Sequence, residues 1–281
     1  MLDRDGDYWT MLPNRERYRH RLGDVARDAK AVTFFGKDDD VEALFDFPDL
    51  EELTFHEPKK EHLAVLGKLT GIQRLRVSHA RPRDLTFLEP LTNVEQLVLE
   101  YVSGFDSLAP LRSLPRLRAL HLENLRRVSD FSGLEGIESL RYLCIDGTLD
   151  WKQPVSDFEF CRGLPNLEVL TLWGIINKTP FPATLPLLSL RGLQKLKMGW
   201  NALSVEEYAL LEVGLADVEG ADWGPYRKFS RAGSGEWFEF TGKGSGAAKC
   251  SSKNAAARCA EFSEKYEQLK QEARRVIDAS R

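Results

Sequence analysis

Seven copies of one pattern, L-x-x-L-x-L with apolar substitutions, limit what this chain can fold into more than any other feature. They read LEELTF from Leu50, IQRLRV from Ile72, VEQLVL from Val94, LRALHL from Leu117, LRYLCI from Leu140, LEVLTL from Leu167 and LQKLKM from Leu193. Start-to-start spacings are 22, 22, 23, 23, 27 and 26 residues. Weaker copies flank them, AKAVTF from Ala29 and LADVEG from Leu215. Between copies run segments such as DLTFLEPLTN, FDSLAPLRSLP and FEFCRGLPN, with Pro or Gly near the turn. A fixed period of this length signals stacked coils, because one coil cannot bury its apolar stripe alone. A stack buries a continuous core and pairs its short strands side by side.

The pattern resembles the leucine-rich repeat family over residues 29–220, and its units are most similar to the short SDS22-like and internalin-like class. That resemblance implies an α/β solenoid, a curved horseshoe with a parallel sheet on its concave face. About nine strands ~4.8 Å apart would make a face ~40 Å long. Such a face has room for a standard interface of ~800 Å² per partner. One departure stands out. The family places Asn three residues past the third apolar position, but only Asn201 matches here. The other copies carry Pro58, Ala80, Val102, Leu125, Thr148 and Ile175.

Strand side chains alternate, so the residues between the apolar positions face the concavity. They form three columns. The first is Glu52, Arg74, Gln96, Ala119, Tyr142, Val169 and Lys195; the second is Thr54, Arg76, Val98, His121, Cys144, Thr171 and Lys197. The third is His56, Ser78, Glu100, Glu123, Asp146, Trp173 and Gly199. It stacks three carboxylates on consecutive rungs. Like charges on adjacent strands destabilise a sheet, so folding alone gives no reason for the column. Tyr101, Tyr142, Trp173 and Trp200 stand beside it, and aromatic residues favour interface anchors. The expected partner-binding set is therefore Glu100, Glu123, Asp146, Tyr101, Tyr142, Trp173 and Trp200, with His121 and Trp151 alongside. Its complement is a protein with a basic surface. The competing reading is a solvated acidic face, or carboxylates met by Arg118 or Arg141. The two long repeats add residues near WKQPVSD and GIINKTPFPATLP, and insertions in solenoids map to loops beside the binding face. Trp151, Ile175, Ile176 and Phe181 would form an apolar lip next to Trp173, although Phe181 fits internal packing better.

Three parts are expected. Residues 1–28 form a helical N-terminal cap, with Tyr18, Leu22 and Val25 on one stripe. Residues 29–222 form the solenoid. Residues 223–281 form a C-terminal cap: a Gly-rich linker, one short strand (WFEF) and an amphipathic helix N-capped by Ser251 or Ser252. Cys259, Phe262, Tyr266, Leu269, Ala273 and Val276 make the seam of that helix. It either folds back over the last repeat or pairs with another chain.

The net charge of −4 gives no argument for nucleic-acid binding. No apolar run reaches the length of a membrane span, and the charged N-terminus has no signal-peptide core. Cys144, Cys161, Cys250 and Cys259 show neither CxxC spacing nor a disulfide framework, which points to a cytoplasmic location with reduced thiols. TGKGSG lacks the Gly and Ser/Thr of a phosphate loop. His20, His56, His62, His79 and His121 show no linear ligand spacing. His121 and Cys144 are cross-strand neighbours, but an open sheet offers no oxyanion hole for a Cys–His nucleophile. Cys250 and Cys259 lack the Cys-x-Asp signature of the ubiquitin ligases fused to such repeats. No cofactor, metal or catalysis is expected. The expectation is a protein-binding module, monomeric outside its complex, in sharper form an immunity protein neutralising a toxin. The alternative is a regulatory or scaffold subunit of an enzyme, as SDS22-like proteins are for a phosphatase.

Overall fold

Each copy of the pattern becomes a strand of four or five residues. In the computed structural model, which describes residues 22–37, 40–221 and 223–280, the strands are β1 (Ala31–Phe35), β2 (Glu52–His56), β3 (Arg74–Ser78), β4 (Gln96–Glu100), β5 (Ala119–Glu123), β6 (Tyr142–Asp146), β8 (Val169–Trp173) and β10 (Lys195–Met198). They form one parallel sheet in chain order. A bridge from Lys195 to Glu219 continues it into the weak copy LADVEG. The pairs β7 (Gln153–Pro154) and β9 (Ile175–Ile176) make a small second sheet from the extra residues of the long repeats.

Sequence period and sheet register are the same quantity here. Leu53, Leu75, Leu97, Leu120, Leu143, Leu170 and Leu196 pair in succession across the sheet. All are fully buried. This stripe, with Phe55, Val77, Leu99, Leu122, Ile145 and Leu172 two residues on, is the spine of one continuous core. The observed architecture is that of a leucine-rich repeat solenoid, on the strength of this strand order and period.

The return path of most coils is a short 3₁₀ turn, started by the same device. Asp84 Oδ1 accepts from Thr86 N at 3.0 Å, Ser107 Oγ from Ala109 N at 3.2 Å, Asp130 Oδ1 from Ser132 N at 2.8 Å and Asp157 Oδ1 from Glu159 N at 2.9 Å. Asp and Ser nucleate turns because their oxygens reach the backbone two residues on. After β2 an α-helix, α1 (Lys60–Leu66), takes this place.

The missing asparagines are replaced, not compensated in kind. Ala80, Val102 and Leu125 fill the position with fully buried apolar side chains. At Leu125 the backbone is served by Gln153 from the inserted loop. Its Oε1 accepts from Leu125 N at 2.9 Å and its Nε2 donates to Val128 O at 2.7 Å.

The C-terminal part corrects the sequence expectation. The segment read as a Gly-rich linker with one strand is a three-stranded antiparallel sheet, β11 (Tyr226–Arg231), β12 (Gly235–Phe240) and β13 (Ala247–Lys249). Its glycines sit at positive φ in the turns, where they read as linker by composition. Gly242 lies so close to Val205 that a Cβ would sit 2.6 Å from its backbone nitrogen. This turn docks the small sheet on α2 (Val205–Gly214). The final helix, α3 (Ala255–Ala279), starts after Asn254 and not at Ser251 or Ser252. It folds back on α2 through Tyr266, Tyr208 and Ala209, with Lys270 Nζ 2.7 Å from Glu212. Cys259, Tyr266, Ala273 and Ile277 are its buried seam, Ile277 taking the place expected for Val276. Most of the expected N-terminal helix, Tyr18 included, lies outside the described residues; Leu22–Asp24 is a single 3₁₀ turn whose Leu22 joins the core.

Candidate functional site

The third column is built as the period predicts. Ser78, Glu100, Glu123, Asp146 and Trp173 are consecutive partners across β3, β4, β5, β6 and β8. Their surroundings differ from the expected row of three bare carboxylates. Arg76, from the second column of the preceding strand, reaches across and donates to Glu100 Oε2. Both partners are largely buried, so Glu100 is neutralised in place. Among the described residues Glu123 and Asp146 have no lysine or arginine partner. Glu123 Oε2 lies 3.8 Å from His121 Nε2. Burial pushes the Glu123 carboxyl up to about 7, and the charges of Glu100 and Asp146 add to the rise. Burial also pushes Asp146 up to about 6, against the pull of the Gly147 N–H.

The inner columns do not face solvent as simple alternation suggests. Tyr142 packs with Val98, Ala119, Cys144 and Val169 in one buried cluster. His121 is also buried, and Trp200 lies under the Arg227 guanidinium, 5.0 Å from its ring centroid. Tyr142, His121 and Trp200, all expected at a partner surface, therefore sit inside the structure. His121 is pushed down to about 3, first by burial and then by Arg76, while burial sends the Cys144 thiol well above its ordinary value. A Cys–His nucleophile needs the opposite polarisation, a thiolate beside an imidazolium.

The rim is an edge where the backbone turns left-handed. Glu57, His79, Tyr101 and Asn124, each the first residue past a strand, have φ of 45°, 55°, 53° and 53°, and Gly174 follows at 54°. Non-Gly residues visit this region at a cost of about 1 kcal/mol or more each. Each of the four still donates its N–H to the next strand: His79 to Glu100 O at 3.0 Å and Tyr101 to Glu123 O at 2.9 Å. The turn places their side chains along the sheet's edge. His79 stacks on Tyr101 with ring centroids 4.8 Å apart, and His56 meets His79 edge-on at 5.2 Å. Sequence columns missed His79 because they stop at the strand's last residue; its signal was the recurrence at a 22-residue step before Tyr101.

Next to this stack the inserted loop closes a cleft of about 690 Å³ with Glu123 and Asp146 among its lining residues. Tyr101, Leu149 and Trp151 line it too, together with exposed Arg126 and Lys152. Leu149 is fully exposed, and Trp173, the neighbour of Asp146, is 45% exposed. The loop reaches the sheet's edge because Gly147 has no side chain: a Cβ there would sit 2.6 Å from Trp151 O. Ile175 is buried and anchors the lip, while Trp151, Ile176 and Phe181 are half-buried. Below the carboxylates, His121, Cys144 and Asp146 bring donor atoms within 4.8 Å of one another, a grouping that strand register assembles and linear spacing hides.

No family model matches the chain, and no curated protein matches it. Solved structures similar to it include an internalin C2 of Listeria monocytogenes, at 21% identity and a TM-score of 0.46 over 62% of this chain and 72% of that one. An internalin, inlF, of the same species aligns at 20% identity and a TM-score of 0.35, over 69% and 74%. TLR13 in its complex with ssRNA13 aligns at 18% identity and a TM-score of 0.46, over 72% and 34%.

Proposed function

We propose that this chain is a non-enzymatic protein-binding module whose contact surface is the rim at the C-terminal ends of β4 to β8. The observation that carries this reading is the Glu123–Asp146 pair. Two adjacent carboxylates, half-buried and without a lysine or arginine partner among the described residues, are held against their mutual repulsion at the floor of a cleft. Exposed apolar groups flank them: Tyr101, Leu149 and Trp173. Large exposed apolar side chains next to buried charge are what an anchor residue of a partner requires.

The partner's matching feature is one projecting lysine or arginine more than a broad basic patch. Arg126 and Lys152 at the cleft repel a uniformly basic surface, while the floor attracts a single cation. This narrows the basic-partner expectation. An inhibitor, such as an immunity protein that covers a toxin's active surface, is the sharper form of the reading. A regulatory subunit would use the same rim and leave its partner active.

The test is capture from native lysate with three baits: wild type, Glu123→Gln/Asp146→Asn, and Glu135→Gln/Glu138→Gln on the return turns as a charge-matched control. The reading predicts a protein retained by wild type and control and lost by the rim variant. Equal capture by all three baits contradicts it. Activity of the captured protein, with and without this chain, separates inhibition from regulation.

A further inference from the structure

We propose that His121, Cys144 and Asp146, with Glu123 as fourth donor, form a metal site suited to Zn²⁺. It does not depend on the partner-binding reading. Three observations support it.

The first is geometry. His121 and Cys144 are direct partners across β5 and β6, and Asp146 follows Cys144 by two residues on the same face. Their donor atoms all lie within 4.8 Å of one another. Glu123, the partner of Asp146, brings Oε2 to 3.8 Å from His121 Nε2. Zinc bonds of ~2.0–2.3 Å in a tetrahedron place donors roughly 3.5 Å apart. His121, Cys144 and Asp146 need to draw in by about 1 Å. Side-chain rotation is the movement this asks for, since the strand register holds the backbones.

The second is donor chemistry. One imidazole nitrogen, one thiol and two carboxylates form a mixed set. Calcium and magnesium take oxygen donors, whereas zinc accepts this combination. On binding, Cys144 loses its proton to solvent and becomes a thiolate. The thiolate and two carboxylates then carry three negative charges against two positive ones. The occupied site keeps one net negative charge, so the rim stays acidic. Arg76, whose charge acts on His121, is already held by Glu100.

The third is access. His121 and Cys144 are buried, but Glu123 and Asp146 open onto the 690 Å³ cleft, which gives an ion a path to the donors.

The 281-residue chain, dialysed against a chelator, is titrated with Co²⁺ and then Zn²⁺. The variants are Cys144→Ser, Asp146→Asn and, as a control for adventitious thiol binding, Cys250→Ser. The proposal predicts one Co²⁺ per chain with a sulfur-to-cobalt charge-transfer band and tetrahedral visible bands, all displaced by Zn²⁺. The signal persists in Cys250→Ser and weakens by more than about tenfold in Cys144→Ser and Asp146→Asn. No stoichiometric uptake by the wild type overturns the site, as does uptake unchanged in both ligand variants. If circular dichroism shows Cys144→Ser unfolded, Asp146→Asn alone decides: unchanged uptake there overturns the proposal.

Discussion

Glu100 and Glu123 hold the same repeat position on neighbouring strands, and the molecule treats them differently. On β4, Glu100 is met by Arg76 and becomes half of a buried ion pair. On β5, Glu123 faces Asp146 and lies near neutral His121. A third carboxylate, Glu207 on α2, shows what a structural acid looks like here. It is 3% exposed and accepts from Ala183 N at 2.8 Å, Thr184 N at 2.9 Å and Thr184 Oγ1 at 2.5 Å. The N-terminal half of the column and α2 both satisfy their charge internally. The β5–β6 rungs hold two adjacent carboxylates with no lysine or arginine partner among the described residues. Identical repeat positions thus diverge in role through a single neighbour one strand away.

The comparison is broken most severely at Arg76. Arg76→Met strands the Glu100 carboxylate, and denaturant unfolding should show a loss of about 3 kcal/mol. Adding Glu100→Gln should recover a large part of it; no recovery would mean Arg76 matters through packing alone. Next, Glu207→Ala leaves two backbone N–H groups and a hydroxyl without their acceptor. It should cost about 2 kcal/mol in the same assay.

The smallest effect has the opposite sign. Glu123 is raised from 4.5 to about 7 in the folded protein, so the native state holds more protons than the unfolded state across that window. Native stability therefore falls as pH rises from 4.5 to 7. In chelator buffer, Glu123→Gln should match wild type near pH 4.5 and exceed it by about 1 kcal/mol at pH 8, the shift being reduced by solvent screening. A variant less stable than wild type at pH 8 would mean Glu123 is a structural acid like Glu207.

The solenoid was legible because period and register coincide: the spacing of the leucines is the offset between paired strands, and it placed Glu100, Glu123, Asp146 and Trp173 on adjacent rungs. What stayed hidden needed the third dimension. Arg76 crosses from the second column to the third, a path no single strand pattern shows. The burial of Tyr142, His121 and Trp200 comes from packing among columns and against the C-terminal cap. The His121–Cys144–Asp146 grouping spans one repeat length, so no linear metal motif marks it. Glycines at β11–β13 mimic a linker because turns and linkers share a composition.

The central claim is that the β5–β6 end of the rim, and not the return-turn side of the solenoid, meets the partner. Site-specific photo-crosslinking tests this most directly, with a benzophenone amino acid placed at Leu149 beside the cleft or at Glu135 on the return turns. The account predicts a crosslinked adduct from Leu149 whose mapped peptide contains a lysine or arginine, and none from Glu135. An adduct from Glu135 with none from Leu149 would contradict it.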